Sequence, residues 1–320
     1  MKIHVISTIN GQENEGMRNI ATHLTREWEK SCVVWYSGLK DILGIIRHTV
    51  SSDVTVVFAR AGKAAYYLIR VLCLLCKNVW LVCVQEPDRE YRKLCEKKAP
   101  GNHYFTLIPD DLKDVKIKNG RACILLRVGI KKEKFVPVST EEADKIKQEY
   151  GFSPNKTLVV HVGHCSAGRG LEKLAALTDD SIEKLAVVSG LFEDNETKTM
   201  LEQAGVRVLS GYLPNIEKIY QMADVYLFPT KSAEYVISIP LSVMEALACG
   251  TPVVASSNLP GLNHIKATDK AVRIVPDGTD MNCEIQMLCE MKSAKSLLSE
   301  PISWSTSAFE ALSAIKDNLR

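Results

Sequence analysis

The fold is decided by residues 223–256, which read ADVYLFPTKSAEYVISIPLSVMEALACGTPVVAS. This segment contains a strand pattern that ends at Phe228, a helical pattern in LSVMEALA and a second strand pattern in TPVVAS. Pro240 precedes the helical pattern and Gly250 follows it, which are the helix boundaries that these residue types favour. Because the first N–H groups of a helix have no partner within the helix, we expect an anion-binding site around residues 239–243.

Strand and helix patterns also alternate along the rest of the chain. Runs rich in β-branched residues, such as KIHVIS at 2–7 and TLVVHVG at 157–163, are each followed by an amphipathic helical pattern. The alternation stops between residues 129 and 156, which are polar and charged and contain one exposed helix that begins at Ser139. The pattern predicts an α/β protein of two Rossmann-like domains, whose parallel sheets face a central cleft.

The predicted domain boundary lies near residue 150. Residues 1–150 form the N-terminal domain, residues 151–300 form the C-terminal domain, and we expect a helix in 301–320 to pack back on the first. Charge also changes at this boundary: the first 150 residues carry 25 basic and 18 acidic side chains, and the rest carry 15 and 20. The total of +2 hides this asymmetry, which indicates that the two domains face different partners.

The composition is that of a globular chain, with 46% hydrophobic and 24% charged residues, which excludes a disordered or fibrous protein. The ten cysteines lie mostly in apolar runs, and no signal peptide precedes the first strand pattern, so we expect a reducing, cytoplasmic environment. The spacing of Cys73 and Cys76 is that of a redox or metal motif, but core packing is the favoured interpretation. Arg70 and Lys77 divide the apolar stretch 64–84, which therefore predicts a buried helix and a strand instead of a membrane span.

The segment 223–256 resembles the donor-binding segment of the retaining family 4 glycosyltransferases, the glycogen-synthase-like enzymes of the GT-B superfamily. Their pattern ends in Glu-Ala-x-Ala-x-Gly-x-Pro-Val-Val, and residues 245–254, EALACGTPVV, match it. Other family patterns occur in the same order at 128–137 (VGIKKEKFVP), 162–170 (VGHCSAGRG), 260–261 (PG), 276–278 (PDG) and 303–304 (SW). The resemblance implies the GT-B fold and the transfer of a sugar from a UDP- or GDP-sugar to an acceptor hydroxyl. It also implies that the anomeric configuration is retained and that no metal ion is required.

The resemblance also implies roles for individual residues. Glu245 corresponds to the second glutamate of the donor motif, which accepts hydrogen bonds from the nucleotide ribose. Arg169 corresponds to the basic residue that holds the donor diphosphate, and arginine supplies a permanent, bidentate cation for the leaving nucleotide. Gly16 corresponds to a glycine turn where bare backbone approaches the donor phosphates. The other donor-binding residues implied are Gly163, His164, Ile239, Pro240 and Leu241.

Three positions depart from the family pattern. The first glutamate of the donor motif falls at Ile237, which cannot accept a hydrogen bond, and Glu234 is the candidate catalytic carboxylate in its place. The other diphosphate-binding arginine falls at His164, so more of the charge rests on Arg169, and His164 helps when it is protonated. Many family members place a histidine after a middle strand of the first domain, where this chain has Glu86, a candidate replacement or a solvated charge.

Three functions remain open at this point. The first is a retaining glycosyltransferase, in cell-surface glycan or glycolipid synthesis. The second is a non-catalytic GT-B relative that binds a nucleotide or glycan as a partner or regulator, and the changes at Ile237 and His164 motivate it. The third is a GT-B-type sugar-nucleotide epimerase, which needs acid–base carboxylates in its cleft. A Rossmann dehydrogenase is disfavoured because no G-x-G-x-x-G follows the first strand pattern.

The basic N-terminal half suggests the partners. In this family that half receives the acceptor, so the resemblance implies a glycan or lipid-linked acceptor. Excess cations also attract an anionic membrane, and we expect a cytoplasmic protein that is peripheral at the inner face of the membrane. No nucleic-acid-binding motif is present, so nucleic acid is not an expected partner. The candidate cations, for which a plain solvated face is the alternative, are Arg89, Arg92, Lys93, Lys97 and Lys98.

Overall fold

The computed structural model describes residues 1–7, 15–256, 259–276 and 278–319. Gly11, which follows the first strand pattern in the sequence, and Asp277, in the PDG motif, lie outside these residues. The chain divides into two compact units, each with its own six-stranded sheet. The first unit comprises Met1–Gly129, Ile237–Ile239 and Ile302–Arg320, and the second comprises Ile130–Val236 and Pro240–Pro301.

The first unit contains a parallel sheet in the order β2-β1-β3-β4-β5-β6. All residues of β3 and β4 are buried, as in parallel sheets that are covered on both faces. Its strands are β1 (Lys2–Ile6), β2 (Val33–Ser37), β3 (Val54–Phe58), β4 (Val79–Cys83), β5 (His103–Thr106) and β6 (Cys123–Leu125). The helices between them are α1 (Gly16–Glu29), α2 (Ile42–Ser51), α3 (Lys63–Leu75) and α4 (Arg89–Lys97).

The apolar stretch 64–84 forms α3 and β4, as predicted from the charges that divide it. Burial raises the pKa of the Cys73 thiol to about 11, and both Cys73 and Cys76 are free cysteines. Helix α4 was not predicted, because its residues are mostly charged and only Tyr91 and Cys95 are buried. Within the described residues, no helix combines the length and the hydrophobicity that a membrane span requires.

The second unit also contains a parallel sheet, in the order β12-β11-β10-β7-β8-β9. Its strands are β7 (Thr157–Cys165), β8 (Ile182–Glu193), β9 (Arg207–Ser210), β10 (Val225–Phe228), β11 (Val253–Ser256) and β12 (Val272–Val275). Its helices are α5 (Thr140–Glu149), α6 (Glu172–Ala175), α7 (Asn195–Gln203), α8 (Ile216–Met222), α9 (Leu241–Ala248) and α10 (Met281–Cys289). The prediction of an α/β protein with two parallel sheets is confirmed.

The units divide at Gly129–Ile130, earlier in the chain than the predicted boundary near residue 150, because α5 packs in the second unit. Lys147 on α5 is buried and forms an ion pair of 2.7 Å with Asp224, which directly precedes β10. The same carboxylate accepts a hydrogen bond of 2.6 Å from the N–H of Leu158 on β7. These bonds join α5 to the middle of the second sheet.

The C-terminal helix α11 (Trp304–Asp317) belongs to the first unit. The indole of Trp28 on α1 donates a hydrogen bond of 3.0 Å to the carbonyl of Ala308, and the His23 ring stacks on Trp304. Ser303 caps α11, since its hydroxyl accepts a hydrogen bond from the N–H of Thr306. The chain therefore returns to α1 at its end.

Candidate functional site

The carboxyl ends of β7 and β10 lie side by side in the second sheet, because these two strands are paired. β7 leads into a 3-10 turn over Ala167–Arg169, and β10 leads into a loop with a second 3-10 turn over Ala233–Tyr235. Ligands of open parallel sheets bind at this edge. The turn at 167–169 carries Arg169, which the sequence predicts to hold a diphosphate.

Two glycines fix the position of the Arg169 turn. Gly170 has a φ of +66°, and a β-carbon there would lie 2.1 Å from the carbonyl oxygen of Pro229. Gly168 packs under the Tyr235 ring, whose atoms would come within 2.3 Å of a β-carbon. The carbonyl of Gly168 also accepts a hydrogen bond of 3.0 Å from the N–H of Lys231. The turn is therefore tied to the loop that follows β10.

The Arg169 side chain is only 8% exposed, so its charge is largely removed from bulk water. Its Nη1 atom lies 3.7 Å from the position that a β-carbon of Gly163 would occupy. The His161 Nε2 atom lies 2.9 Å from the same position, so Gly163, Arg169 and His161 converge on one point. A guanidinium in such a low-dielectric setting interacts more strongly with an anion than an exposed one does.

His161 is a fully buried histidine that the sequence interpretation missed. Its Nδ1 atom donates a hydrogen bond of 3.0 Å to the carbonyl of Leu227, so Nε2 carries the lone pair. Burial lowers the pKa of His161 to about 3, and the charges of Arg169 and His164 act in the same direction. The ring is therefore neutral at pH 7. Among the described residues, Nε2 has no hydrogen-bond partner.

A signal for His161 was present in the sequence. It interrupts the apolar run LVVHVG at 158–163, and it lies two positions before Gly163. Residues at this spacing share one face of a strand. A histidine on the same strand face as Gly163, on a strand that leads to Arg169, therefore indicates a polar group beside the predicted anion site.

Glu245 lies one turn into α9 and is half-buried. Its Oε2 atom accepts a hydrogen bond of 3.1 Å from the hydroxyl of Tyr220 on α8. Burial and the Glu245 carboxylate raise the pKa of Tyr220 well above its usual range, so this hydroxyl stays protonated and donates. Glu245 is thus an oriented carboxylate and not a freely solvated charge.

The start of α9 matches the boundary that was predicted from Pro240. This proline is the residue before the first helical position, Leu241, and no side chain from the described residues caps the helix. The N–H of Met244 is the first to bond back to Pro240, at 3.3 Å. The N–H groups that precede it remain available to an anion, as in other helix N-termini.

The other predicted residues of the second unit fall at different depths. Gly163 and His164 are half-buried on β7, next to the Arg169 turn. Glu234 is exposed on the 3-10 turn after β10, and its role as a substitute catalytic carboxylate stays a prediction. Among the residues that the structure describes, no group of His, Cys, Asp and Glu side chains has the arrangement of a metal site.

Gly16 and Ile237 contact each other within the first unit. A β-carbon on Gly16, the first residue of α1, would lie 2.8 Å from Cδ1 of Ile237. The carboxylate of Glu15 accepts hydrogen bonds of 3.0 Å from the N–H groups of Met17 and Arg18. The start of α1 therefore holds a carboxylate of the chain itself, where the resemblance implies donor phosphates.

Residues 237–239 also bond to the first sheet through Ser238. Its N–H donates to the carbonyl of Val84 at 2.8 Å, and its hydroxyl donates to Asp111 Oδ2 at 2.5 Å. Burial raises the pKa of Asp111 to about 6, although the bond from Ser238 partly offsets this. Glu86, the candidate replacement for a family histidine, forms an ion pair of 2.6 Å with Arg92.

The second unit is similar to a known family of enzymes. Residues 156–290 match the family model described as "Glycosyl transferases group 1", and this range contains Arg169 and Glu245. The chain is 30% identical over 159 residues to the sulfoquinovosyl transferase SQD2 of Arabidopsis thaliana, which is 48% of this chain and 30% of that protein. It is 23% identical over 135 residues to the alpha-galactosylglucosyldiacylglycerol synthase of Streptococcus pneumoniae, which is 39% of this chain and 35% of that protein. The matches thus span about a third of the length of these curated relatives.

The fold is also similar to that of a solved structure. The crystal structure of Anabaena HepE in complex with UDP and glucose matches with a TM-score of 0.78 over 99% of both chains, at 12% identity. At this identity the likeness establishes the fold. The prediction of the GT-B class, with two Rossmann-like parallel sheets, is therefore confirmed.

Proposed function

We propose that the chain is a glycosyltransferase that moves a sugar from a UDP- or GDP-sugar to an acceptor hydroxyl and retains the anomeric configuration. The observation that carries the proposal is the family match over residues 156–290, which contains the buried Arg169 and the oriented Glu245. The HepE complex with UDP supports a nucleotide-sugar donor. The names of the two curated relatives support glycolipid or cell-surface glycan synthesis, with a glycan or lipid-linked acceptor.

In this proposal the second unit is the donor domain. Arg169 pairs with the diphosphate, and the free N–H groups at residues 241–243 bind the same anion. Gly163 leaves room for the phosphate oxygens, and the Glu245 carboxylate accepts hydrogen bonds from the ribose hydroxyls. Since His161 is neutral, Arg169 supplies the permanent positive charge. The proposal includes no metal ion, as the family resemblance implies.

The transfer step follows from the charges around the leaving group. The acceptor oxygen forms a bond to the anomeric carbon, and the bond from that carbon to the diphosphate oxygen breaks. The acceptor approaches from the face of the sugar that the nucleotide leaves, which retains the configuration. The acceptor proton passes to a phosphate oxygen of the leaving nucleotide. Arg169 stabilises the negative charge that develops on the diphosphate, which is the electrostatic contribution expected of such a cation.

The first unit is the acceptor domain in this proposal. Its basic side chains attract an anionic or lipid-linked acceptor and bring the protein to the inner face of the membrane, with the chain otherwise cytoplasmic. The donor-binding roles that the resemblance implies for Gly16 and Ile239 stay predictions. Glu15 then has to leave the N-terminus of α1 before a phosphate binds there, because both would use the N–H groups of Met17 and Arg18.

A non-catalytic relative is the second candidate, and Ile237 favours it. This residue takes the position of the family's first glutamate, is 9% exposed and packs on Gly16. An isoleucine offers no acceptor for a sugar hydroxyl. In this alternative the chain binds a nucleotide or a glycan as a regulator, and the donor sugar is not transferred.

Isothermal titration with UDP and GDP tests the binding step. We expect one nucleotide to bind the wild-type protein, with at least tenfold weaker binding to Glu245→Ala and to Arg169→Ala, since a hydrogen bond to a charged group contributes about 1.5–3 kcal/mol. Glu202→Ala, which removes an exposed acid from α7 of the same unit, is the matched control and should bind normally. Wild-type protein that binds neither nucleotide would refute the proposal.

Product analysis separates the two candidate functions. Incubation with a panel of nucleotide sugars and acceptors should yield a glycoside and a free nucleoside diphosphate if the chain is a transferase. Binding without transfer or donor hydrolysis would favour the regulator. In that case, turnover by Ile237→Glu would identify the isoleucine as the cause of the lost activity.

A further inference from the structure

An open groove of about 920 Å³ lies in the first unit, outside the candidate donor site. Its walls are the C-terminal half of α3, the connection from α4 to β5, and the segment that precedes β6. These residues stand at the amino ends of β5 and β6, since they precede both strands. The groove is therefore at the edge of the first sheet opposite to the carboxyl ends, where a parallel sheet binds its substrates.

The groove is strongly cationic. Six of the fifteen described residues that line it are Lys or Arg, and none of the fifteen is Asp or Glu. Arg121 is held by the carbonyl of Lys77 at 3.0 Å and by the His103 ring at 2.8 Å. Within the described part of the chain, the other five cations form no ion pair. These five are Arg70, Lys97, Lys98, Lys116 and Lys118.

Large apolar side chains are exposed beside these cations. Tyr67, Val71 and Leu74 line the groove from α3, and they are 50%, 53% and 86% exposed. They are four and three residues apart, so they form one stripe along the helix. An exposed apolar stripe bordered by lysine and arginine is the pattern of a surface that binds an anionic bilayer, because the apolar side chains enter the headgroup region and the cations contact phosphates.

The cations predicted from the sequence divide into two groups on this basis. Lys97, the last residue of α4, and Lys98, which follows it, line the groove, whereas Arg89 and Lys93 are exposed on α4 and do not. Arg92 is paired with Glu86 and with Asp114, so its charge is already compensated. Two of the three side chains in the stripe, Val71 and Leu74, are aliphatic, which favours a lipid surface over a nucleic acid, whose single strands bind by stacking on aromatic side chains.

We propose that this groove is the membrane-docking site of the protein, and that it binds the surface of a bilayer containing anionic phospholipids. The lysines contact the lipid phosphates, and Leu74, Val71 and Tyr67 insert between the headgroups. The groove is the surface that would hold the protein at the membrane, as proposed above. Its identification depends on the proposed function only for the purpose that docking serves. Since the groove is not at the carboxyl edge of the first sheet, docking leaves that edge free.

Vesicle co-sedimentation tests the proposal. The wild-type protein should bind vesicles made of equal parts phosphatidylcholine and phosphatidylglycerol, should bind phosphatidylcholine alone far less, and should be released by salt. Lys97→Ala/Lys98→Ala should weaken the partition about thirtyfold, since each cation near an anionic surface contributes about 1 kcal/mol. The control Arg89→Ala/Lys93→Ala removes the same charge from the same helix and should cause a much smaller loss.

A second pair of variants tests the apolar part. Leu74→Ser should weaken binding about tenfold, as expected for the loss of one large buried side chain. Phe309→Ser is the control, since Phe309 is 73% exposed on α11 of the same unit and does not line the groove. Circular dichroism should give the same spectrum for all four variants.

The outcomes separate docking from the proposed function. Wild-type protein that fails to bind anionic vesicles, or equal losses in the two double variants, overturns the docking site. UDP or GDP binding measured by titration should be unchanged in Lys97→Ala/Lys98→Ala. Nucleotide binding without vesicle binding refutes the docking site alone, whereas vesicle binding without nucleotide binding refutes the glycosyltransferase alone.

Discussion

Replacement of Gly170 by alanine should displace the turn that carries Arg169. Gly170 has a φ of +66°, and the new β-carbon would lie 2.1 Å from the carbonyl oxygen of Pro229 and 3.0 Å from its carbonyl carbon. These are backbone atoms at the end of β10, so they cannot rotate away as a flexible side chain would. Either the turn or the end of the strand has to move.

A second glycine in the same unit separates strain from collision. Gly205, between α7 and β9, has a φ of +74°, and a β-carbon there meets no atom within 4 Å. Left-handed backbone costs a non-glycine residue about 1–2 kcal/mol, and the stiffer unfolded chain offsets about 0.4–1 kcal/mol of this. Overpacking adds about 1–3 kcal/mol. We therefore expect losses of about 1 kcal/mol for Gly205→Ala and about 2–4 kcal/mol for Gly170→Ala.

Two spectroscopic probes and one titration measure these effects. Far-UV circular dichroism during urea unfolding reports both units, while the four tryptophans, Trp28, Trp35, Trp80 and Trp304, all report the first unit. Gly170→Ala should therefore shift the dichroism more than the fluorescence. Its UDP or GDP affinity should fall at least tenfold, whereas Gly205→Ala should bind normally. Equal stability losses in the two variants, or unchanged nucleotide affinity in Gly170→Ala, would refute the reasoning.

Three further predictions concern hydrogen bonds and protons. Tyr220→Phe should weaken nucleotide binding about tenfold in calorimetry, because Glu245 loses the Tyr220 hydroxyl as a donor, whereas Tyr212→Phe, which changes an exposed tyrosine of the same unit, should not. His161 should show no NMR titration between pH 5 and 8, because its pKa is lowered to about 3, and a midpoint near 6.5 would contradict its burial. The unfolding free energy should fall as pH drops below 6.5, since the unfolded histidine then takes up a proton and the buried one does not. Asp111 has the opposite sign: its pKa is raised to about 6, so the unfolding free energy should fall as pH rises from about 4 to 6. Asp111→Asn should make this fall smaller by up to about 2 kcal/mol, which urea unfolding at several pH values checks.

Local signals account for the parts of the fold that were predicted. Pro240 and Gly250 mark the ends of α9, because one favours the start of a helix and the other has a φ of +77° just after it. Arg70 and Lys77 showed that the stretch 64–84 is not a membrane span, and it forms α3 and β4. In each case the informative residues lie within one or two turns of the structure that they determine.

The unpredicted elements lack such signals. Helix α4 buries only Tyr91 and Cys95, so its apolar face is too narrow to stand out among charged neighbours. β12 is a four-residue edge strand of which only Val275 is buried, and α10 follows it without a strong stripe. Short edge elements depend on the sheet that they join, which local periodicity does not contain.

The contacts that define the candidate site are all long-range. Tyr220 and Glu245 belong to different helices, and the His161 ring bonds to the carbonyl of Leu227 on a neighbouring strand. Residue types and spacing identified Glu245 and Arg169 through the family pattern. They did not identify their buried neighbours, because which side chains meet across β7 and β10 depends on strand order and register.

Two of the three departures from the family pattern, Ile237 and Glu86, fall in the first unit, and the third, His164, falls in the second. Arg169, Glu245 and the start of α9 lie in the second unit, whereas Ile237 lies in the first. Ile237 and Glu15 instead act together around Gly16, since one covers its backbone and the other fills the N-terminus of α1. Position 237 is 9% exposed, so a carboxylate there would be largely buried, and burial of a charge costs several kcal/mol unless a partner compensates it. The isoleucine is therefore physically consistent with a helix start that already holds a carboxylate, and nucleotide binding and turnover have to be measured separately.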